Sequence, residues 1–482
     1  MYNPKTKPFR HQAEEFADHG HDLTRGLFWE QGCGKTKPVI DSVGSLFQAG
    51  EIDGLMVLAP NGVHRNWVSD EIPTHMPDEL FEKARCHIWY SSNTKQHEQS
   101  FLGTLNHNGL AVLVMSYNAV LTERGQKAWK TFLQKRKCMY VLDESQRVKN
   151  PNAKWSKRIL GSASIGAKYR RILTGTPVNN SPFDLYNQLR FLEPEIWHDL
   201  GIRNFSSFKQ FFGIWEMRHT RDDRSFPHCV AYRSIDTLNR KLKEVGTRVT
   251  KDEVLDLPPK LYSKRYVTIT PEQKRLYKQL VDEYTVELDS GEQISAPLAI
   301  VRLLRLQQVI CGYLPKGDQS EELQDIPGGN PRLDLLAETC EDLSHKAIIW
   351  CRFRRDIELI CNHPTFRGRC VRVDGSVTGP ARGEALDEFQ KGDTQFLIGN
   401  PAAIGTGVTL HAARTVIYYS NSFNLADRLQ SEDRAHRIGQ NYPVHYIDLV
   451  ASGTVDMRIV ASLRDKVDIA NQITGDKLKE WI

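Results

Sequence analysis

No CxxC pair, no long apolar run and no low-complexity tract occurs in these 482 residues. Each absence excludes a class. The 9 cysteines are scattered and odd in number, so neither a zinc ribbon nor a disulfide framework is expected. Cys361 with His363, beside Cys370 and Cys351, comes nearest to a metal pattern. Buried or free thiols in a reducing compartment are the better reading. The start, MYNPKTKPFRHQ, lacks the apolar core of a signal peptide, and no run approaches a membrane span. A cytoplasmic protein with no targeting signal and no membrane partner is therefore expected. Charge of one sign is also scarce, with a net of only +5. That is compatible with nucleic-acid binding but does not argue for it. The basic clusters at 135–137, 154–158, 168–171 and 352–355 read equally well as solvated surface.

Hydrophobic residues make up 40% and charged residues 26%, the balance of a globular chain long enough for two or three domains. Short apolar runs alternate with amphipathic stretches in two regions. The first holds LMVLAP (55–60), LAVLVMSY (110–117), MYVLDE (139–144) and RRILTGTP (170–177). The second holds KAIIWC (346–351), CVRVDG (370–375), QFLIGN (395–400), TVIYYS (415–420) and VHYIDLV (444–450). Runs of this kind, ending in polar or turn residues, read as buried parallel strands with functional groups at their carboxyl ends. The fold class is α/β, two mostly parallel sheets flanked by helices. Residues 1–195 form a first lobe. Residues 196–329, rich in charged and aromatic residues, read as a mostly helical insertion and linker. Residues 330–455 form a second lobe and 456–482 a C-terminal helical brace.

GCGKT at 32–36 follows an apolar run and precedes a helical stretch. Glycines let backbone N–H groups approach phosphates, and the helix N-terminus favours an anion. Gly32, Cys33, Gly34, Lys35 and Thr36 are the candidate nucleotide contacts; Lys35 would reach the β- and γ-phosphates and Thr36 would hold Mg²⁺. The complete GxxxxGK[ST] pattern is missing, because Trp29 stands at its first glycine. A bare GxGKT also occurs by chance. DESQ at 143–146 follows an apolar strand, as a magnesium-binding carboxylate pair should. Asp143 can position Mg²⁺ while Glu144 orients and deprotonates water; a surface acidic pair is the alternative. QSEDRAHRIGQ at 430–440 sets Arg434 and Arg437 three apart, on one face if the segment is helical. They would bring positive charge to the γ-phosphate from a second lobe. Alternatively they belong to a surface helix salt-bridged through Glu432 and Asp433.

In order along the chain, these motifs resemble those of the Swi/Snf-type ATPases of helicase superfamily two. PFRHQ (8–12) resembles the family's first motif, which makes Gln12 the adenine contact. WEQGCGKT resembles DEMGLGKT, VLAPNGVHRNWVSDEI (57–72) motif Ia, SYNAVL (116–121) motif Ib and DESQRVKN DEAHRLKN. LTGTPVNNSPFDLYNQLRFLEP (173–194) is similar to motif III and its extension; LPPK, PEQKRLYK and LLRLQQVICG match connecting segments; RVDGSV, IGTGVTLHAA and QSEDRAHRIGQ complete the series. Three residues depart from the pattern. Gln146 replaces the histidine of DEAH, which in the family relays the nucleotide state to motif III. Its amide can still donate and accept. Ile404 replaces a glycine and Thr409 an asparagine in motif V.

The resemblance implies two RecA-like lobes, ATP with Mg²⁺ as cofactors, and translocation along double-stranded DNA. Asn61, Arg65, Ser116, Lys149, Asn150, Arg352 and Thr406 are the candidate DNA contacts, with ordinary loop polarity as the alternative. Trp67 reads as a packing residue rather than a base-stacking one. No accessory domain is recognisable, so a compact, monomeric motor is expected, similar to annealing helicases and their bacterial or viral relatives. Such motors act on branched DNA by fork reversal, branch migration or strand annealing. Displacement of proteins from DNA is one rival reading, and a nucleotide-switched DNA-binding module is another.

Overall fold

The computed structural model describes residues 2–61, 63–90, 94–162, 167–219, 225–289, 296–316, 322–377, 379–404 and 408–476. Thr406 lies outside the described residues.

The apolar runs become the centres of two parallel sheets. In chain order the strands are β1 Thr24–Trp29, β2 Gly54–Ala59, β3 Ala84–Ile88, β4 Leu110–Ser116, β5 Cys138–Asp143, β6 Tyr169–Leu173, β7 Gly213–His219, β8 Ser225–Tyr232 and β9 Gly246–Val249. There follow β10 Lys260–Val267, β11 Tyr313–Pro315, β12 Leu323–Asp325, β13 Ala347–Trp350, β14 Cys370–Val373, β15 Phe396–Gly399, β16 Thr415–Tyr418 and β17 Val444–Ala451. The first sheet runs β3-β4-β2-β5-β6-β1-β9 and the second β10-β17-β16-β13-β15-β14, every pair parallel.

The runs are continuous because both faces of each sheet are covered. In β2, Met56 and Leu58 enter one core while Leu55, Val57 and Ala59 enter the other. In β13, Ile348 and Trp350 face one core, and Ala347 and Ile349 face its opposite. Each Leu, Ile, Val or Met among them contributes about 1.5–3 kcal/mol by leaving water.

The stretch 196–329 holds the helices Phe205–Phe212, Ile235–Val245, Pro271–Asp289 and Ala296–Ile310, and with them strands that the helical reading did not mark. It gives β9 to the edge of the first sheet and β10 to the edge of the second. It also forms an antiparallel hairpin, β7–β8, with Met217 and Phe226 exposed. Edge strands such as GTRV and KLYSKRYV carry few apolar residues because solvent reaches one side, so periodicity does not mark them. Residues 250–259, between β9 and β10, connect the two sheets.

The last described helix, Val455–Thr474, spans both lobes. Val455, Ile459, Leu463 and Val467 join a core with second-lobe residues, whereas Ile473 enters the core of the first lobe. Asp476, just beyond, pairs with Arg248 of β9 at 2.7 Å. Among the described residues no helix is long and apolar enough to cross a membrane, and no three His, Cys, Asp or Glu residues group to hold a metal ion.

Candidate nucleotide site

Parallel strands aim their carboxyl ends, and the loops that follow, at one edge of the sheet. β1 delivers the loop 30–35, β5 delivers Asp143 and Glu144, and β6 delivers Thr174. Gly32 and Gly34 both have positive φ, +89° and +71°. Here glycine is required: a Cβ on Gly34 would stand 2.2 Å from Nε2 of Gln12. The helix Thr36–Gln48 starts directly after this turn, with its unpaired amides at the loop. Lys35 folds back, its ammonium donating to the carbonyls of Trp29 and Glu30 at 2.9 and 3.2 Å.

Gln12 is buried against the same loop. Its amide donates to the Gly34 carbonyl at 3.0 Å and accepts from the Phe9 N–H at 2.8 Å. One N–H and one lone pair remain. His11 lies against the Cys33 carbonyl at 2.8 Å, so PFRHQ clasps the loop from two neighbouring residues. The Cys33 side chain itself is buried.

Asp143 is buried, and its Oδ2 accepts from the indole of Trp67 at 2.9 Å. Burial, then the neighbouring Glu144, pushes the Asp143 carboxyl up to about 6. Trp67 is only 1% exposed. It packs as expected, but it also donates to the carboxylate, which the sequence reading missed. A π-helical turn, Trp67–Glu71, produces this placement. Glu71 closes that turn; burial, Asp70 and Asp143 push it up to about 7, with Arg437 opposing.

Glu144 adopts a left-handed conformation, φ 55° and ψ 54°, uncommon for a residue with a Cβ. Gln146 holds it there, donating to Glu144 Oε2 at 2.5 Å, and accepts from the Thr174 hydroxyl at 2.7 Å. The glutamine that replaces a histidine therefore links the carboxylate to LTGTP with one donor and one acceptor. We expect Gln146→Ala to slow nucleotide turnover at this site about tenfold, equivalent to about 1.4 kcal/mol, one net hydrogen bond. A steady-state ATPase rate equal to that of the unaltered protein would remove this link from the reaction.

The second lobe differs from the surface-helix alternative. In the helix Leu425–Ala435, Glu432 is 0% exposed. It accepts from Arg428 and Tyr262, each at 2.8 Å. Asp433 pairs with Lys251 at 2.6 Å and Lys260 at 3.4 Å. Burial works against its charge, but Lys251 and then Lys260 hold its carboxyl down at about 2.

The two arginines do not share a helical face. The helix ends at Ala435, and Arg437 lies in the following turn. Gly439 turns the chain with φ +98°. Gln440 fastens that turn by donating to the carbonyls of His411, Ala413 and Ala435 at 3.0, 2.9 and 3.2 Å. This is the physical content of the HRIGQ ending. Arg437 thereby reaches the first lobe: a Cβ on Gly32 would stand 3.7 Å from its Cγ. Arg434 instead lines an interlobe cleft of about 280 Å³ with Asn61, Ser116, Arg147, Trp155 and Gln430. Burial, then Arg437, lowers Arg434 to about 10.

Asn61 and Ser116 thus meet at one cleft. Arg65 is exposed, its guanidinium 5.0 Å from the Tyr90 ring centre. Lys149 is committed to Asp184 at 3.3 Å, and Asn150 accepts from the Asn152 N–H at 2.9 Å. Arg352 bonds Gln307 and lines a separate cavity of about 450 Å³ with Asn400, Ser420 and Asn421. Ile404 is 2% exposed in the second-lobe core, where an apolar side chain replaces the family's glycine without cost in polar groups.

Between the lobes, then, a glycine turn, a helix N-terminus, an ammonium, two carboxylates and an arginine from across the cleft meet. Such a set suits a nucleoside triphosphate, and the Thr36 hydroxyl with the Asp143 carboxylate suits a hard divalent cation. Two known domain families agree with this class. The family described as "SNF2-related domain" matches residues 24–312, and "Helicase conserved C-terminal domain" matches 332–439. The chain belongs to the Swi/Snf-type ATPases of helicase superfamily two. It is 27% identical to the "Probable chromatin-remodeling complex ATPase chain" of Oryza sativa subsp. japonica, over 89% of this chain and 37% of that protein. It is 26% identical to the "Uncharacterized ATP-dependent helicase MG018" of Mycoplasma genitalium, over 92% of this chain and 39% of that protein. The chain thus spans about two fifths of the length of these relatives. The solved "Sulfolobus solfataricus SWI2/SNF2 ATPase core in complex with dsDNA" aligns over 99% of both chains, with 22% identity and a TM-score of 0.43.

Proposed function

We propose that this chain is a DNA-dependent ATPase that translocates along double-stranded DNA. The observation that carries the reading is Arg437 of the second lobe lying against Gly32 of the phosphate loop. A nucleotide site completed only when two lobes meet couples hydrolysis to their movement. In this reading Gly32, Cys33, Gly34, Lys35 and Thr36 cradle the phosphates, and Gln12 offers its remaining N–H and lone pair to the base. Thr36 and Asp143 hold Mg²⁺, which neutralises phosphate charge when bound. Glu144 orients and deprotonates water, Gln146 keeps it oriented, and Arg434 and Arg437 supply positive charge. Asn61, Ser116, Arg65, Lys149, Asn150, Arg352 and Thr406 are assigned to DNA phosphates. The branched-DNA form of the activity, by fork reversal, branch migration or strand annealing, rests on the resemblance of a minimal motor with a DESQ box to annealing helicases. A monomer suffices, because both halves of the site belong to one chain.

Two measurements test the proposal. Duplex DNA is expected to stimulate ATP turnover, and ATP is expected to drive displacement of a third strand from a triplex. Stimulation without displacement would leave only a nucleotide-switched binding module. Comparison of single-stranded, duplex, forked and four-way DNA tests the branched form; equal stimulation by duplex and junction would favour displacement of proteins from plain duplex. Salt dependence adds a number. Three of the assigned contacts are cationic, so log K should fall with log salt at a slope of about −2.7. Affinity would drop about 40-fold between 50 and 200 mM salt. A flat salt response would contradict phosphate recognition.

A further inference from the structure

One lysine outside every motif of the nucleotide site touches both of its halves. Lys251 lies in the connection between β9 of the first sheet and β10 of the second. Its backbone N–H donates to Glu30 Oε2 at 2.8 Å, two residues before Gly32. Its side chain is 3% exposed. The ammonium donates to Asp433 Oδ1 at 2.6 Å and to the His436 carbonyl at 2.8 Å. These groups flank the end of the helix that leads into Arg437. The Lys251 stem lies against the phosphate loop as well: a Cβ on Gly32 would stand 3.7 Å from Lys251 Cε, as near as Arg437 Cγ.

The far end of the connection grips the same segment. His436 bonds the Pro258 carbonyl through Nε2 at 2.7 Å, and Lys260 pairs with Glu432 at 3.2 Å. A hinge needs only to be long and pliable, and solvated residues would serve. Here an ammonium is taken out of water and used to hold the last turn of one lobe's helix. A helix end left without partners for its carbonyls frays, and a frayed turn at 433–436 would release Arg437 from its place.

We propose that Lys251 is a positioning residue. It ties the end of the Leu425–Ala435 helix to the phosphate-loop side of the cleft and so sets the Arg437 guanidinium over the loop. The inference rests on the reading of Arg437 given under Proposed function. Lys251 touches no reacting atom and acts through Arg437.

The test is Lys251→Met, which keeps the stem and removes the ammonium, measured alone and combined with Arg437→Ala. Lys251→Met is expected to lower kcat about 100-fold while KM for ATP changes less than about threefold. On the Arg437→Ala background the same change should cost less than twofold, because residues acting as a unit are not additive. Hydrogen exchange on the nucleotide-free protein supplies a readout independent of turnover. Amides of 436–440 should exchange at least tenfold faster in Lys251→Met, and those of 37–43 at an unchanged rate. If Lys251→Met does not fold, Asp433→Asn, which keeps the bond to the His436 carbonyl, should show the same pattern more weakly. Equal losses with and without Arg437, or unchanged exchange at 436–440, would overturn the inference. Unaltered turnover in Arg437→Ala alone would instead overturn the reading of Arg437. The exchange data would still report whether Lys251 holds the turn.

Discussion

Glu144→Gln is expected to bind Mg²⁺ and ATP as the unaltered protein does and to lose turnover by about 10²–10⁴-fold, the usual worth of a positioned general base. The substitution changes charge and basicity while keeping size. Glu144 is held in a left-handed backbone conformation between two amides, Gln31 at 3.4 Å and Gln146 at 2.5 Å. A glutamine at 144 can keep at least part of this hydrogen bonding, so the loop should survive and only the base should vanish. Lys35→Ala is the contrasting variant. Removing that ammonium takes away a phosphate contact in the ground state, so binding itself should weaken. Fluorescent-nucleotide titration together with single-turnover hydrolysis separates the two. Normal turnover in Glu144→Gln would take this carboxylate out of the chemistry.

Arg437→Ala is expected to lower turnover by about 10³-fold or more, in the range of arginines supplied across an interface to a transferring phosphoryl group. Nucleotide affinity should change little, since the first lobe carries the cradle. Lysine should not restore the rate, because its point charge lacks the planar fork. The neighbouring Arg434 lines the cleft with Asn61 and Ser116 rather than lying against Gly32. Arg434→Ala, whose charge acts from farther off, should therefore lower turnover less than Arg437→Ala. Steady-state ATPase rates with and without duplex, measured for both variants, decide the matter. A rate for Arg437→Ala within twofold of the unaltered protein would mean that the second lobe does not take part in hydrolysis.

The central strands and the phosphate loop were legible in the sequence because their physics is local. LMVLAP and LAVLVMSY are short, apolar throughout and bounded by turn or polar residues, which favours strands covered on both faces, and GCGKT carries its turn in its glycines. The contacts that organise the loop were not legible. Trp67 meets Asp143 across 76 positions, and Lys251 meets Asp433 across 182. Spacing says nothing at such distances. Trp67 reads as core because it is core; its indole N–H finds Asp143 only once the π-helical turn is formed. β9 and β10 escaped notice for a related reason: an edge strand pairs on one side only, so its sequence need not be apolar. The arginines show the same limit. Three-residue spacing puts them on one face only if the segment is helical, and the chain turns after Ala435, before Arg437.

The Val455–Thr474 helix carries a consequence for how the lobes can move. The chain leaves the first lobe through 250–259 and, by this helix, returns to it at Ile473 and Asp476. Two bodies fastened at two separate points cannot twist or slide freely against each other. What remains easy is rotation about the line through both fastenings, as a gate turns on an axle. Turning about that line opens and closes the cleft between Gly32 and Arg437, so the two fastenings set the axis of closure and leave the phosphate loop as the part of the first lobe that the second lobe approaches.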